Sequence, residues 1–384
     1  MVKYLLRGDF MAVGIICEYN PFHNGHVYHI KKIKELYPND PIILVMSGNF
    51  TQRGEVSLLD KWAKTKIALN YVDLVVELPF IFSVQAADVF AKAAVTILKN
   101  LKVDKIIFGT ESLDSEKLNE IAEIQKQKKY NTLVKEYLDK GYNYPTSMSK
   151  AVYDLSKIKI ENPNDLLGLS YVKNLDSTIK AITIKRTNDF HSKDLTNKIT
   201  SATSIRLALK NKKNIKKYVP KETYENLKKL HFNDDYFKFL KYKIISEIDN
   251  LNTYLNVDEG IENRIKKYIF EATDLQQLIS KIKTKRYTYN KINRMLTSIL
   301  CGLTKEMANK YKNPEYIRIL GFNKNGSSYL KKIKKDCKLP IITKFTNKYE
   351  TLNLELKTTY IYNLNEKDKI DLTLMEYKNK PIIK

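Results

Sequence analysis

The chain has 384 residues, enough for two or three domains, and its 43% hydrophobic and 29% charged content suits a soluble globular protein. Few glycines and prolines, three widely spaced cysteines (Cys17, Cys301, Cys337) and no apolar run of roughly 18 residues argue against fibrous, disulfide-built, zinc-binding and membrane-spanning classes. Lys and Arg number 67 against 43 Asp and Glu, a net charge of +24, which favours a polyanionic partner for a cytoplasmic protein.

Residues 1–10 are too short and too mixed for a signal peptide and read as an extension before Met11. Met11–Cys17 is a continuous apolar run, the pattern of a strand buried on both faces. A turn at Asn20-Pro21 and Asn24-Gly25 leads into a helix ending near Tyr37. Pro41–Met46, Asp73–Pro79 and Lys105–Gly109 repeat the strand pattern, with helices over Leu58–Asn70 and Ala86–Leu101 between them. Four buried strands joined by helices imply an α/β fold with a doubly wound, Rossmann-like parallel sheet. Ligands of such sheets bind beyond the carboxyl ends of the strands, here the loops after Cys17, Met46 and Phe108.

Residues 113–142 read as helical, 162–175 as a loop entering a helix, and Thr178–Lys185 as a fifth strand. Ile199–Lys213 reads as a helix opening on a Ser/Thr cluster. Beyond about 215 the pattern turns to Lys- and Tyr-rich helices, such as Tyr218–Leu240 and Ile261–Lys285, and strand-like runs such as Thr358–Leu364. The expected division is a catalytic domain over 11–215 and a basic, mainly helical region with some strands over 216–384. Charge divides similarly: residues 1–200 hold 28 basic and 23 acidic side chains, whereas 201–384 hold 39 and 20. A Lys-rich background would act on both parts, so the asymmetry favours nucleic-acid binding by the second.

The segment from Glu18 to His26, EYNPFHNGH, follows the first strand and opens the first helix. His23 and His26, three apart, aim toward the strand ends, and Gly25 lets a phosphate approach the helix N-terminus. Pro21 fixes the turn before the helix. Two imidazoles there suit the charge that develops on an α-phosphoryl group during nucleotidyl transfer. A metal site would want a third ligand, and only Glu18 is close in sequence. In the segment 199–206, ITSATSIR, the hydroxyls of Ser201, Thr203 and Ser204 with Arg206 form either an anion site or an ordinary helix cap.

The His-x-Gly-His and Ser/Thr-x-Ile-Arg motifs together resemble a nucleotidyltransferase superfamily. EYNPFHNGHVYHI (18–30), VMSGNFTQRGE (45–55), ELPF (77–80), FGTES (108–112), NPNDLLGLSYVK (162–173) and SATSIR (201–206) resemble, in order, the tRNA(Met) cytidine acetate ligase family. The second half matches that family in size and basic character. The resemblance implies that acetate attacks the α-phosphorus of ATP, giving acetyl-adenylate and pyrophosphate. The exocyclic amine of the wobble cytidine of elongator tRNA(Met) then takes the acetyl group, releasing AMP and leaving N4-acetylcytidine.

The resemblance also implies an ATP site over Ile16, Cys17, Glu18, Tyr19, Asn20, Pro21, Phe22, His23, Asn24, Gly25, His26, Val27, Tyr28 and His29. Gly109, Asn164 and Arg186 complete it, with Ser201, Thr203 and Ser204 beside it and His23, His26 and Arg206 as catalytic residues. Gly109, lacking a Cβ, would let adenosine lie against the backbone. Mg²⁺ is expected to ride mostly on the triphosphate and water, with no metal ligands from the protein. Asn49, Gln52, Arg53 and Lys61 are candidate contacts for acetate or tRNA. Cys17 reads as a small buried strand residue, His29 as a packing or capping residue, and His191 as a weak candidate near the cleft. Asp165 and Ser170 depart from the residues expected in their loop. Lys clusters at 212–217, 281–286 and 331–338, interleaved with Tyr218, Tyr287, Tyr289 and Tyr329, suit RNA phosphates and bases. Two alternatives stand: an adenylyltransferase for a small phosphorylated cofactor precursor, and a non-catalytic RNA-binding protein. The first leaves the basic half unexplained; the second has no need of His23, His26 and Arg206.

Overall fold

The computed structural model describes residues 11–186, 200–365, 372–378 and 380–384, so His191 lies outside the described residues. The first half runs β1 (Val13–Cys17), α1 (Asn24–Leu36), β2 (Ile42–Ser47), α2 (Lys61–Ala68), β3 (Leu74–Leu78), α3 (Phe80–Ser83), α4 (Ala87–Asn100) and β4 (Lys105–Thr110). It continues through α5 (Ser115–Ile124), α6 (Lys128–Asp139), α7 (Tyr144–Ser156), α8 (Pro163–Val172), β5 (Lys180–Lys185) and α9 (Ala202–Lys210). Helices α10 (Lys221–Asn226), α11 (Phe237–Ser246), α12 (Ile261–Tyr268), α13 (Leu275–Ile282), α14 (Tyr289–Cys301) and α15 (Lys305–Lys310) follow. The end of the chain holds β6 (Ile317–Phe322), α16 (Lys324–Ile333), β7 (Ile341–Ile342), α17 (Glu350–Asn363), α18 (Leu372–Lys378) and β8 (Ile382–Ile383).

The strands form one sheet in the order β5-β4-β1-β2-β3-β6-β7, with β8 also paired to β6. Strands β1 to β5 are mutually parallel, as their continuous apolar runs require. Side chains alternate between two cores: Ile43 and Val45 of β2 enter one, Ile42 and Leu44 the other. Helices α4, α5 and α8 cover the first face, and α1 and α2 the second. The order reverses between β1 and β4, so the crevice falls beyond the carboxyl ends of those two strands.

The sheet crosses the division expected near residue 215. Strand β6 lies antiparallel to β3, pairing Leu74 with Phe322 and Glu77 with Arg318, and β7 and β8 pair with β6. Other expectations are corrected locally. The helix expected over Tyr218–Leu240 is broken into α10 and α11, because Pro220 starts one and Asp235 caps a short turn before the other. The helix expected over Ile261–Lys285 is two, since the Asp274 side chain accepts the Gln277 N–H and opens α13. The strand-like Thr358–Leu364 is the end of α17: Thr358 Oγ1 bonds Glu355 O one turn back at 2.7 Å, and Thr359 and Tyr362 bond Glu376 and Ser57. Helices α11 to α14 bury a separate cluster that includes Ile244, Leu278, Ile292 and Met295. Among the described residues no helix is long and apolar enough to cross a membrane.

Candidate active site

A cleft of about 900 Å³ opens beyond β1 and β4. Its walls come from the β1–α1 turn, the loop after β2, α7, α8, the start of α9 and the start of α14. Tyr19, with φ of +50°, turns the chain out of β1 toward α1. His23 then caps α1: its Nδ1 accepts the Gly25 N–H at 3.0 Å, while His26 Nδ1 accepts the His23 N–H at 3.2 Å. The two rings stack with centroids 3.8 Å apart. Since each Nδ1 accepts from the backbone, each neutral ring carries its proton on Nε2 and offers it as a donor.

Burial, reinforced by Arg186, lowers the pKa of His23 to about 3 and of His29 to about 4, and puts His26 well below the usual range. Near neutral pH the pair is therefore two uncharged imidazoles with Nε2–H donors. Of the residues expected to hold ATP, Ile16, Cys17, Glu18, Tyr19, Asn20, His23, Gly25, His26, Tyr28 and His29 line the cleft. Pro21, Phe22, Asn24 and Val27 do not. Phe22 packs behind the wall on His26 and Tyr71, and the Asn24 side chain bonds Lys217 O at 2.9 Å. Burial pushes the Cys17 thiol up to about 12, so no acyl-carrying thiolate forms there.

Arg206 joins three segments. Its Nη1 donates to Asn20 O at 2.8 Å and its Nη2 to Glu55 Oε2 at 2.9 Å. Ser201 caps α9 by accepting the Ser204 N–H at 3.0 Å; Ser201 and Thr203 line the cleft, whereas Ser204 is buried beneath it. Gly109 and Arg186 are neighbours: a Cβ at 109 would meet Arg186 Cγ at 3.1 Å. The glycine, which also lines the cleft, thus makes room for the Arg186 side chain. Asn164 reaches the cleft while donating to Glu111, and Asp165 is buried, accepting Glu111 N–H at 2.9 Å and Ser112 Oγ at 2.5 Å. Asp165 therefore fixes the loop after β4, and Ser170 donates to Asp88 at 3.1 Å.

Glu18 links the loops after β1 and β2, accepting the Gln52 N–H at 2.5 Å and Ser47 Oγ at 3.3 Å. Burial raises its pKa. Lys64 donates from below to Glu18 O, Ser47 O and Gly48 O, and burial lowers it to about 8. Gln52 and Arg53 line the cleft.

Asn49 and Lys61 do not line it. Lys61 Nζ is fully buried, 2.7 Å from Glu77, 2.5 Å from Glu376 and 3.6 Å from Glu355, and Arg318 bridges Glu77 and Glu376 at 3.0 and 2.5 Å. Asn49 accepts the Lys61 N–H at 3.0 Å and donates to Thr359 at 3.1 Å. Three of the charged partners of Lys61's cluster lie in the last seventy residues, so nothing near Lys61 in sequence signals its burial. Conversely, Glu55, Tyr142, Tyr144, Arg286, Lys291 and Arg294 line the cleft without having been singled out as site residues, although Glu55 ends a quoted motif and Arg286 ends a Lys cluster.

Stacked neutral imidazoles at a helix N-terminus, two guanidinium groups and a switch-point cleft define a nucleotidyltransferase site, and residues 10–376 match the HIGH Nucleotidyl Transferase family model. The chain is 39% identical to the tRNA(Met) cytidine acetate ligase of Geobacillus sp. (strain WCH70), over 97% of this chain and 99% of that one. It is 38% identical to that of Clostridium acetobutylicum, over 92% and 95%. Crystal structures of Thermotoga maritima TmcAL superpose on it with TM-scores of 0.91 without ligand and 0.87 with alpha-thio ATP bound, at 30% identity over 97% of this chain and 99% of those. The chain belongs to the tRNA(Met) cytidine acetate ligase family.

Proposed function

We propose that this chain is a ligase that activates acetate with ATP and transfers it to the wobble cytidine of elongator tRNA(Met) in the cytoplasm, leaving N4-acetylcytidine. The observation that carries the reading is the His23–His26 pair, held neutral with both Nε2–H groups available in a cleft lined by Arg186 and Arg206. An acetate oxygen attacks the α-phosphorus of ATP, and the bond to pyrophosphate breaks. Charge growing on the phosphoryl oxygens meets imidazole N–H donors and guanidinium groups already in place, with no reorganisation at the moment of reaction. In the second step the cytidine N4 forms a bond to the acetyl carbon, the acyl–phosphate bond breaks, and AMP leaves.

The acidic side chains on the cleft wall are Glu18, Glu55, Asp88 and Glu259, and they do not converge on a metal-holding group among the described residues. Mg²⁺ would be held there by triphosphate oxygens and water. The basic residues beyond 215 supply the tRNA-binding surface. The test is AMP release from ATP with and without acetate and tRNA, followed by nucleoside analysis of the tRNA. Coupled AMP and N4-acetylcytidine support the ligase. Pyrophosphate exchange with a phosphorylated precursor in place of acetate would favour the small-molecule adenylyltransferase.

A further inference from the structure

Arg294, on the second turn of α14, faces the cleft together with Arg286 and Lys291. Asn290, four residues earlier, shares its helix face. The Arg294 Nε is buried without a hydrogen-bond partner among the described residues. Burial lowers its pKa to about 10, with no carboxylate among the described residues beside it to offset that. Arg206, on the same cleft wall, differs in having Glu55 at 2.9 Å. A half-buried guanidinium lacking an anion costs stability, and a sequence keeps such a group where a ligand supplies the anion.

The placement of Arg294 is rigid. Gly54, with φ of +72°, abuts the α14 backbone so closely that a Cβ there would lie 2.3 Å from Arg294 N, and Thr297 Oγ1 donates to Gly54 O at 2.8 Å. The next residue, Glu55, holds Arg206. Arg294 is therefore positioned through the same loop as the reacting centre. Lys283 and Lys285, outside the cleft, and Arg286 on its wall are exposed and lead from open solvent to Lys291 and Arg294. A compact triphosphate needs no such track; an extended polyanion follows one.

We propose that Arg294, with Lys291 and Arg286, seats a backbone phosphate of the RNA substrate in the cleft and so sets where the target cytidine enters. The inference rests on RNA being the substrate. The phosphates of ATP are the competing source of the same chemistry, and two measurements separate them: the affinity for bulk tRNA as a function of salt, and the KM for ATP in acetate-dependent pyrophosphate exchange without tRNA. Arg294→Gln should weaken tRNA binding about tenfold and reduce the log–log salt slope by about one, with Arg294→Lys recovering part of the loss. Unchanged tRNA affinity and slope would overturn the proposal, as would a loss falling instead on the KM for ATP. If Arg294→Gln does not fold, Arg286→Gln and Lys291→Gln carry the same reading of slope, and a slope unchanged in both sinks the idea. Wild-type protein that binds tRNA but releases no AMP with acetate would defeat the ligase reading while leaving this test intact.

Discussion

Glu55 and Arg206 meet at 2.9 Å, so one ion pair fastens the loop after β2 to the first turns of α9 beside the His pair. The guanidinium also holds Asn20 O, which places it against the segment that carries both histidines. Arg206→Ala should lower acetate-dependent pyrophosphate exchange by about 10²-fold or more, the usual cost of losing a donor to transition-state charge. Glu55→Gln, which leaves the guanidinium in place, should cost about tenfold or less. Equal losses would mean that Arg206 acts only by bracing the loop.

The histidines give a pH dependence of definite sign. An unfolded histidine titrates near 6.5, whereas His23 and His29 in the fold titrate near 3 and 4, and His26 well below its ordinary value. Below about pH 6.5 the unfolded chain therefore binds more protons than the folded one, and stability falls as pH drops toward 4. The Tm measured between pH 7 and 4 should decline, and His29→Gln should flatten part of that decline. A variant whose Tm follows the wild-type curve throughout would show that His29 is protonated in the fold.

Lys61 belongs to the framework rather than to the substrate. Lys61→Met leaves Glu77, Glu355 and Glu376 clustered around Arg318 alone, and should destabilise the protein by about 3–5 kcal/mol in denaturant unfolding. Were Lys61 instead a phosphate ligand, the substitution would raise the KM for ATP and leave the unfolding midpoint in place.

Gly109→Ala tests the seating of Arg186. The new methyl meets Arg186 Cγ at 3.1 Å and shifts the guanidinium by a few tenths of an ångström. Exchange should fall about three- to tenfold, since small displacements of a positioning group are costly. Thermal stability should change little. Unaltered exchange kinetics would remove Arg186 from the ATP site.

Strands β1 to β5 and the switch-point crevice were legible because parallel strands write themselves as short apolar runs between helical segments. The His pair was legible because its spacing and its place after β1 are local facts. The rest depends on distant partners. Thr358, Thr359 and Tyr362 have strand-forming side chains, yet bonds to Glu355, Glu376 and Ser57 hold them in α17. Lys61 resembles any surface lysine until Arg318, Glu355 and Glu376 surround it. Arg294 sits in an ordinary amphipathic helix, and only the cleft distinguishes it.

The pairing of β3 with β6 has a consequence for the ribosome. Glu77 and Arg318 are 241 residues apart. At about 5–20 residues per second, β3 waits roughly ten to fifty seconds after its own synthesis for the strand that covers its edge. During that interval Lys61 and Glu77 lack Arg318, Glu355 and Glu376, and the nascent chain presents an open strand edge of the kind that invites chaperones or aggregation. A premature stop anywhere before Ile317 therefore does not yield a smaller enzyme with a weaker grip on its substrate. It yields a sheet that was never finished.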